Sequence, residues 1–476
     1  MAELLGPFRG GGDGGGRDRA GRDGDGSAQP RDVSAPGPRA ATIFAPATAA
    51  APAAIGVVRL SGPATAAALR AVAGDPLPPP RRAVLRRLRH PRTGEVLDRG
   101  LVLWLPGPRT YTGEDMAELH HHGGVAVRAA LLEALETLEG LRPAEPGEFT
   151  RRAFLAGRMD LTEAEAVADL VEATTAAQRR LALRGLEGEL GRRLEAWRGA
   201  LLDLLARVEA VIDFGAEEAD VPADPPAEVA ETAGRLAGEM RRLLAGAVAA
   251  ERLARGIQVA VTGPPNVGKS SLVNRLARRE VAIVTPIPGT TRDVLEVALD
   301  LGGLPVTLLD TAGLRETADP VEAEGVRRAR ARAAAADLEL RLVAATEPGP
   351  EPAAEPRVVP VVTKVDLAPP PAWRVPFVAV SAVTGEGLER LVAALRARAA
   401  ALVAGAEEAP MTRARQREAL AEAAAALERI RSGAATETVL VAEELRIAAR
   451  ALGRITGRVE VEEVLDRVFA RFCIGK

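Results

Sequence analysis

Apolar and polar positions along the chain fall into blocks of different period, and the blocks divide it into parts. From Thr42 to about Arg158 the texture is mixed. Ile55–Leu60 and Gly100–Leu105 read as strands, and Val125–Leu138 as a helix. Further on, Leu186, Leu190, Leu194, Trp197, Leu201, Leu204, Val208 and Val211 recur at steps of three and four, the apolar stripe of a long helix. Ahead of that stripe, Thr162 with Glu165 has the spacing of a capping box. Asp213–Asp224 is an acidic break, after which helix resumes over Ala227–Arg255. Short β-branched runs then return at Ile257–Val261, Val306–Leu309, Val358–Val362 and Val378–Val380. A second helical stripe closes the chain, through Leu420, Leu427, Ile430, Leu440, Leu445, Leu452 and Ile455.

Helical pattern on both sides of a compact α/β block indicates one helical domain interrupted by an insertion. The expected fold class is therefore an α/β plus all-α multidomain chain. Residues 41–160 form an N-terminal α/β domain, 161–255 the first helical part, 256–405 the inserted domain and 406–476 the second helical part. Residues 1–40 are rich in Gly, Arg and Asp without periodicity, with six arginines against six acids. They read as a disordered extension, or as the product of a start codon placed too far upstream, and carry no assigned function.

The inserted block opens on Gly263-Pro264-Pro265-Asn266-Val267-Gly268-Lys269-Ser270, between a strand and a helix-compatible segment beginning at Ser271. In that setting Gly-x4-Gly-Lys-Ser is a phosphate cradle. Loop amides and the helix N-terminus direct partial positive charge at a polyphosphate. Lys269 reaches the outer phosphates, and Ser270 ligates Mg²⁺. Asp310-Thr311-Ala312-Gly313 follows an apolar strand, so Asp310 can hold the Mg²⁺ shell and the Gly313 amide can meet a γ-phosphate. Thr291, in Gly289-Thr290-Thr291-Arg292-Asp293, is a second Mg²⁺ ligand. Thr363-Lys364-Val365-Asp366 and Ser381-Ala382-Val383 follow two further strands, and Asp366 selects guanine over adenine. The block is thus expected to be a Ras-like P-loop GTPase domain.

Two features depart from that pattern. Thr363 stands where the base-reading motif usually has Asn. Leu338-Glu339-Leu340-Arg341-Leu342 places charges in an expected central strand, which suggests edge exposure or local degeneration.

Composition narrows the setting. With 62 basic and 65 acidic residues, no global field points at nucleic acid or membrane. The single cysteine, Cys473, permits no disulfide within the chain and fits a reducing compartment. No apolar run approaches the roughly 18 residues of a membrane span. A cytoplasmic protein without membrane contact is expected. His120-His121-His122 invites a metal reading, but strand neighbours face opposite ways and nothing nearby completes a site. A turn leading into a helix is the expectation there.

The layout and its local strings resemble the MnmE/TrmE family of tRNA wobble-uridine modification GTPases. The strings are Arg59-Leu60-Ser61-Gly62, Tyr111-Thr112-Gly113-Glu114-Asp115, Pro146-Gly147-Glu148-Phe149, Asp310-Thr311-Ala312-Gly313-Leu314-Arg315-Glu316 and the terminal Phe472-Cys473-Ile474-Gly475-Lys476. The resemblance covers about Thr42 to Lys476. It implies an N-terminal domain that binds formyl- or methylene-tetrahydrofolate through Arg59, Glu118, Arg158 and Lys476 and also forms a homodimer. It implies K⁺ held by Asn266, Thr285, Ile287 and Thr290, and a catalytic Glu322 that orients the attacking water. It further implies an FAD-dependent partner of the MnmG/GidA type. Together the pair adds an aminomethyl or carboxymethylaminomethyl group to the wobble uridine of certain tRNAs. Cys473 is the one candidate thiol nucleophile, with simple packing as the other reading. Ala45–Ala54 is Ala/Pro-rich where the family has a glycine-rich turn, which predicts an altered loop because alanine enters positive φ at a cost.

Two other functions fit parts of the sequence. An Era-like ribosome-assembly GTPase would carry a compact basic RNA domain after the GTPase block. A degenerate nucleotide-binding scaffold would account for Thr363 and the charged strand.

Overall fold

The computed structural model describes residues 41–49, 52–214, 227–279, 296–310, 331, 334–459, 462–470 and 472–475. Period-two alternation in the first block yields β1 (Thr42–Pro46), β2 (Ile55–Ser61), β3 (Val84–Arg89), β4 (Val96–Leu105), β5 (Met116–His122) and β6 (Leu141–Pro143). They form one sheet in the order β3-β4-β5-β2-β1-β6. Phe44, Val58, Leu60, Val102, Trp104, Ala117 and Leu119 point to one face, under α1 (Thr65–Ala73) and α2 (Val125–Glu136). The other face carries Arg59 and Glu118, and its β1 end is covered by Phe149 of α3 (Glu148–Leu155), packed with Ile43, Ala45 and Met116.

Strand β4 runs four residues further back than the sequence suggested, because Val96–Arg99 pair with β3 across a hairpin. The three histidines also differ from expectation, since they end β5 instead of forming a turn. They alternate as strand neighbours must: His121 turns inward, while His120 meets Glu118 and His122 meets Asp98.

In the helical part, α4 (Leu161–Glu172), α5 (Ala176–Leu186), α6 (Glu189–Phe214) and α7 (Ala227–Arg255) precede the insertion. Asp160, not Thr162, caps α4: its carboxylate accepts from the Glu163 amide, and the Glu163 side chain accepts from the Asp160 amide. Glu165 turns inward instead. The long apolar stripe begins at Leu190, because the chain breaks between Leu186 and Glu189 with Gly188 in a left-handed conformation. Four helices form the bundle: α6, α7, α10 (Ala414–Arg431) and α11 (Thr438–Thr456). Its core takes Leu194, Trp197, Leu201, Leu236, Met240, Leu420, Leu427, Leu445 and Leu452. In α11 Val441 takes the inward place that the stripe gave to Leu440, which is exposed.

The insertion holds a second sheet of β7 (Ile257–Thr262), β8 (Glu296–Asp300), β9 (Pro305–Asp310), β10 (Leu338–Ala344), β11 (Val358–Thr363) and β12 (Val378–Ala379). Its order is β12-β11-β10-β7-β9-β8, parallel except for β8 at the edge. Helix α8 (Lys269–Ala277) and helix α9 (Leu388–Leu402) pack on one face. Strand β10 is central, so its charges are not an edge effect. Leu338, Leu340 and Leu342 face the core, while Glu339 and Arg341 alternate to the opposite face. There Arg341 Nε donates to Glu339 at 3.0 Å, and the Thr262 hydroxyl donates to Glu339 at 2.7 Å. The charges are half-buried and mutually satisfied, so the strand is not degenerate.

The insertion is tied to the bundle through Asp337, just before β10. Its buried carboxylate accepts from Arg252 and Arg255 of α7 and from the Gln258 amide of β7. Among the described residues no compact basic domain follows it. Instead α10 and α11 complete the bundle, and α12 (Glu462–Phe469) packs against α4.

Candidate functional site

A doubly wound parallel sheet binds ligands beyond the carboxyl ends of its strands. The Gly263–Ser270 loop lies there, between β7 and α8. Asn266 holds a left-handed φ of 60°, which asparagine tolerates better than most residues. Gly268 precedes the helix at φ 103°, and no atom lies within 4 Å of where a Cβ would stand. The helix N-terminus thus opens onto space that a phosphate can fill, with amide dipoles aimed into it. Lys269 Nζ donates to the carbonyls of Gly263 and Pro264, each at 2.9 Å, so its ammonium is folded over the loop. Ser270 and Ser271 stand in the first turn of α8. Asp310 ends β9, buried, directly opposite Val261 of β7. A hydroxyl in the first helical turn and a carboxylate at the end of the neighbouring strand, beside an open cradle, fit Mg²⁺ with a polyphosphate.

Thr363 has a role that the sequence did not disclose. Its hydroxyl, buried at the end of β11, donates to the Val267 carbonyl at 2.6 Å and contacts the Val343 carbonyl at 3.3 Å. The start of the base-reading motif therefore ties down the phosphate loop, and threonine suffices for that bond. Lys364 follows at φ 59°, and Asp366 lies exposed in the next turn. The Ser381 hydroxyl accepts from the amides of Val383 and Thr384, which fixes the loop Ser381-Ala382-Val383. Thr285, Ile287, Thr290, Thr291, Thr311, Ala312, Gly313 and Glu322 lie outside the described residues, as does Lys476.

On the first sheet, Arg59 and Glu118 are register partners, and Arg59 Nη2 donates to Glu118 at 3.0 Å. His120 lies 3.2 Å from the other Glu118 oxygen. That hydrogen bond, with Arg59 adding to it against the effect of burial, holds the Glu118 carboxyl below the usual carboxylate range. Nearby, Ser61, Thr112, Glu114, Glu148 and Arg152 form one network. Ser61 donates to Glu114 at 2.6 Å, and Arg152 bonds Glu114 at 3.0 Å and Glu148 at 2.9 Å. Three of the strings noted in the sequence meet at Arg152, which no motif had singled out; its spacing of four from Glu148 was the available signal. Tyr111 donates to or accepts from Thr150 at 2.8 Å, and burial raises its phenol pKa. Arg158 is half-buried and packs its stem near Gly113.

The end of the chain returns to this sheet. Phe469 and Phe472 pack with Leu161 and Ala164, and both crowd Gly147, where a Cβ would stand 3.0 Å from each of their Cβ atoms. At Gly475 a Cβ would stand 2.1 Å from the Pro46 carbonyl, so only glycine permits this approach. Pro46 is one register step from the Ala45–Arg59 pair. Cys473, between these anchors, is exposed. Among the described residues of the Ala/Pro-rich loop none adopts positive φ; the Ala47 amide donates to Val57 of β2 and the Ala53 amide to Gly123, just past β5. Among the described residues no group of acidic, histidine and cysteine side chains could hold a metal ion, the three histidines included.

A P-loop GTPase sheet inserted into a helical bundle, behind an N-terminal α/β domain, defines a multidomain GTPase. The chain matches the family described as "MnmE helical domain" over residues 161–473 and "GTP-binding protein TrmE N-terminus" over 42–158. It is 56% identical to the tRNA modification GTPase MnmE of Methylobacterium sp. (strain 4-46), over 91% of this chain and 99% of that one. It is 56% identical to the protein of the same name from Rhodospirillum rubrum, over 91% and 99%, and 53% to that of Parvibaculum lavamentivorans, over 91% and 100%. The chain belongs to the MnmE/TrmE family of tRNA modification GTPases. Among solved structures, the G domain of the T. maritima FeoB iron transporter is 26% identical over 31% of this chain and 98% of that chain, with a TM-score of 0.23. Among the described residues no helix is long and apolar enough to cross a membrane.

Proposed function

We propose that this chain is a K⁺-activated GTPase of the cytoplasm that modifies the wobble uridine of certain tRNAs. It acts as a homodimer with an FAD-dependent partner of the MnmG/GidA type. The pair adds an aminomethyl or carboxymethylaminomethyl group at C5, with a carbon from a tetrahydrofolate one-carbon unit and nitrogen from ammonia or glycine. The observation that carries this reading is the seating of Phe472–Gly475 beside Pro46, one register step from Arg59. A GTPase that needed only a nucleotide switch would have no use for a chain end folded back onto a distant sheet. Arg59, Glu118 and Arg158, with Lys476 at the following position, are the residues we assign to the folate.

In the GTPase domain, Lys269 neutralises the outer phosphates, and Asp366 accepts from the guanine edge. Ser270, Thr291 and Asp310 are suited to Mg²⁺; Asn266, Thr285, Ile287 and Thr290 are suited to K⁺. These cations, when bound, offset the charge that builds between the β- and γ-phosphates. Glu322 orients the attacking water, since Thr311 has no amide to do so.

The test is GTP turnover in K⁺ against Na⁺ buffer at equal ionic strength. A large K⁺-specific stimulation that is lost in Glu322→Ala, with GTP binding retained, is expected. Equal turnover in both buffers would remove the K⁺ element, and wild-type turnover in Glu322→Ala would remove that residue's role.

A further inference from the structure

Many arginines of this protein are matched by carboxylates. Arg59, Arg152, Arg252, Arg341, Arg415 and Arg429 each lie within ion-pair distance of an acid. Residues 81–99 concentrate arginines that are not so matched. They hold seven arginines against two acids, Glu95 and Asp98, in a chain whose net charge is −3. Asp98 is already engaged, accepting from the His122 amide at 2.7 Å and meeting its ring at 2.8 Å. Among the described residues none of the seven arginines has a carboxylate within ion-pair distance. Those with side-chain hydrogen bonds use backbone carbonyls: Arg81 bonds Arg109, Arg86 bonds Pro76, Arg89 bonds Gly94 and Arg92 bonds Thr137.

The placement of these side chains adds a second observation. Strand β3 is the outer edge of its sheet, and Arg87 is the direct register partner of Arg99 on β4. Like charges placed opposite each other on neighbouring strands destabilise the pair. Both are exposed, and with Arg86 and Arg89 they line a cavity of about 360 Å³ beside Leu85 and Gly74. A bound anion would relieve the repulsion between Arg87 and Arg99, and no salt bridge has to break before it binds. Guanidinium forks match phosphate oxygens in geometry as well as charge.

From this we infer that the β3–β4 edge of the N-terminal domain is a phosphate-backbone contact surface for tRNA. The inference rests on the tRNA reading proposed above, which supplies a polyanion partner. Arg87, Arg89 and Arg99 make the contacts, and Arg81, Arg82 and Arg92 extend the surface on its flanks. Such contacts position an RNA without reading its sequence.

The experiment measures tRNA affinity of the full-length protein by fluorescence anisotropy across a series of KCl concentrations. Wild type is compared with the triple variant Arg87→Gln, Arg89→Gln, Arg99→Gln and with the triple lysine variant at the same positions. Losing three phosphate contacts should weaken binding roughly tenfold or more at about 100 mM salt and flatten the slope of log K against log salt by about two to three. The lysine variant should keep most of the slope. GTP turnover should match wild type in both, and Arg82→Gln with Arg92→Gln should give a smaller loss if the triple variant fails to fold. Equal affinity and slope in wild type and the glutamine variants would overturn the surface while leaving the tRNA reading intact. No tRNA binding by a wild type that hydrolyses GTP would overturn both. Self-association of the triple variant with unchanged tRNA binding would assign the arginines to guarding an edge strand. Loss of binding to phosphatidylglycerol vesicles alone would assign them to lipid, and either result sinks the inference.

Discussion

At the scale of single residues, the two sites depend on polar groups that hold other groups in place. Thr363 is the clearest. Its bond to the Val267 carbonyl is buried, and removing the hydroxyl leaves that carbonyl without its partner, at a cost of roughly 1–3 kcal/mol. Thr363→Val should therefore weaken GTP binding by about tenfold or more, whereas Thr363→Asn should bind at least as well as wild type. Isothermal titration with GTP separates the two, and unchanged affinity in Thr363→Val would mean the latch does not matter. Glu118 gives a pH-dependent counterpart. Its carboxyl titrates below the ordinary 4.5, so the stability it contributes is present above that value and is lost as pH falls through the lower folded value. Urea unfolding between about pH 3 and 5.5 should show stability falling with acid, and Glu118→Gln should flatten that fall. Identical pH profiles would sever Glu118 from the acid sensitivity of the N-terminal domain.

At the scale of elements, periodicity was legible and punctuation was not. The α6 and α10 stripes and the strands around the phosphate loop follow directly from their apolar spacing. What sequence could not show was which of two overlapping polar signals wins. Asp160/Glu163 and Thr162/Glu165 offer the same spacing at the start of α4, and the second pair loses because Glu165 is needed inside. Arg415 and Gln416 both donate to Glu165, with Arg415 Nη2 and Gln416 Nε2 at 2.6 Å. Asp160→Ala should cost about 1 kcal/mol through the lost cap, and Thr162→Ala should cost less. Chemical denaturation of both variants tests this, and a larger loss in Thr162→Ala would contradict the assignment. The charged strand β10 was misleading for a similar reason. Glu339 and Arg341 read as a defect until the fold shows both on one face of a central strand, where they pair with each other and Glu339 also accepts from Thr262 of β7.

At the scale of the whole molecule, the organisation rests on contacts between segments hundreds of residues apart. Glu165 of α4 and Arg415 of α10 flank the GTPase insertion in sequence yet form a bidentate pair, with the Glu165 side chain almost fully buried. One turn further along α4, Asp169 accepts from Thr412 at 2.7 Å and from Arg413, and burial raises its carboxyl pKa despite them. These bonds hold α4 to the bundle, and α4 in turn packs with Phe469 and Phe472, which lead to the chain end beside Pro46. Glu165 is thus linked, through the tail it helps to seat, to the sheet region proposed above to bind folate. Removing its charge leaves the half-buried Arg415 guanidinium with the Arg454 and Ile455 carbonyls but no counter-charge, for which about 3–5 kcal/mol is the upper scale. Glu165→Ala should lower the unfolding free energy by that order and weaken tetrahydrofolate binding. GTP affinity should stay near wild type, because the insertion is anchored separately through Asp337, Arg252 and Arg255. Denaturant unfolding followed by both ligand titrations reads all three quantities on one variant. Equal loss of GTP and folate affinity would mean that the two anchors act as one unit, and intact folate affinity would mean that the tail is seated without α4.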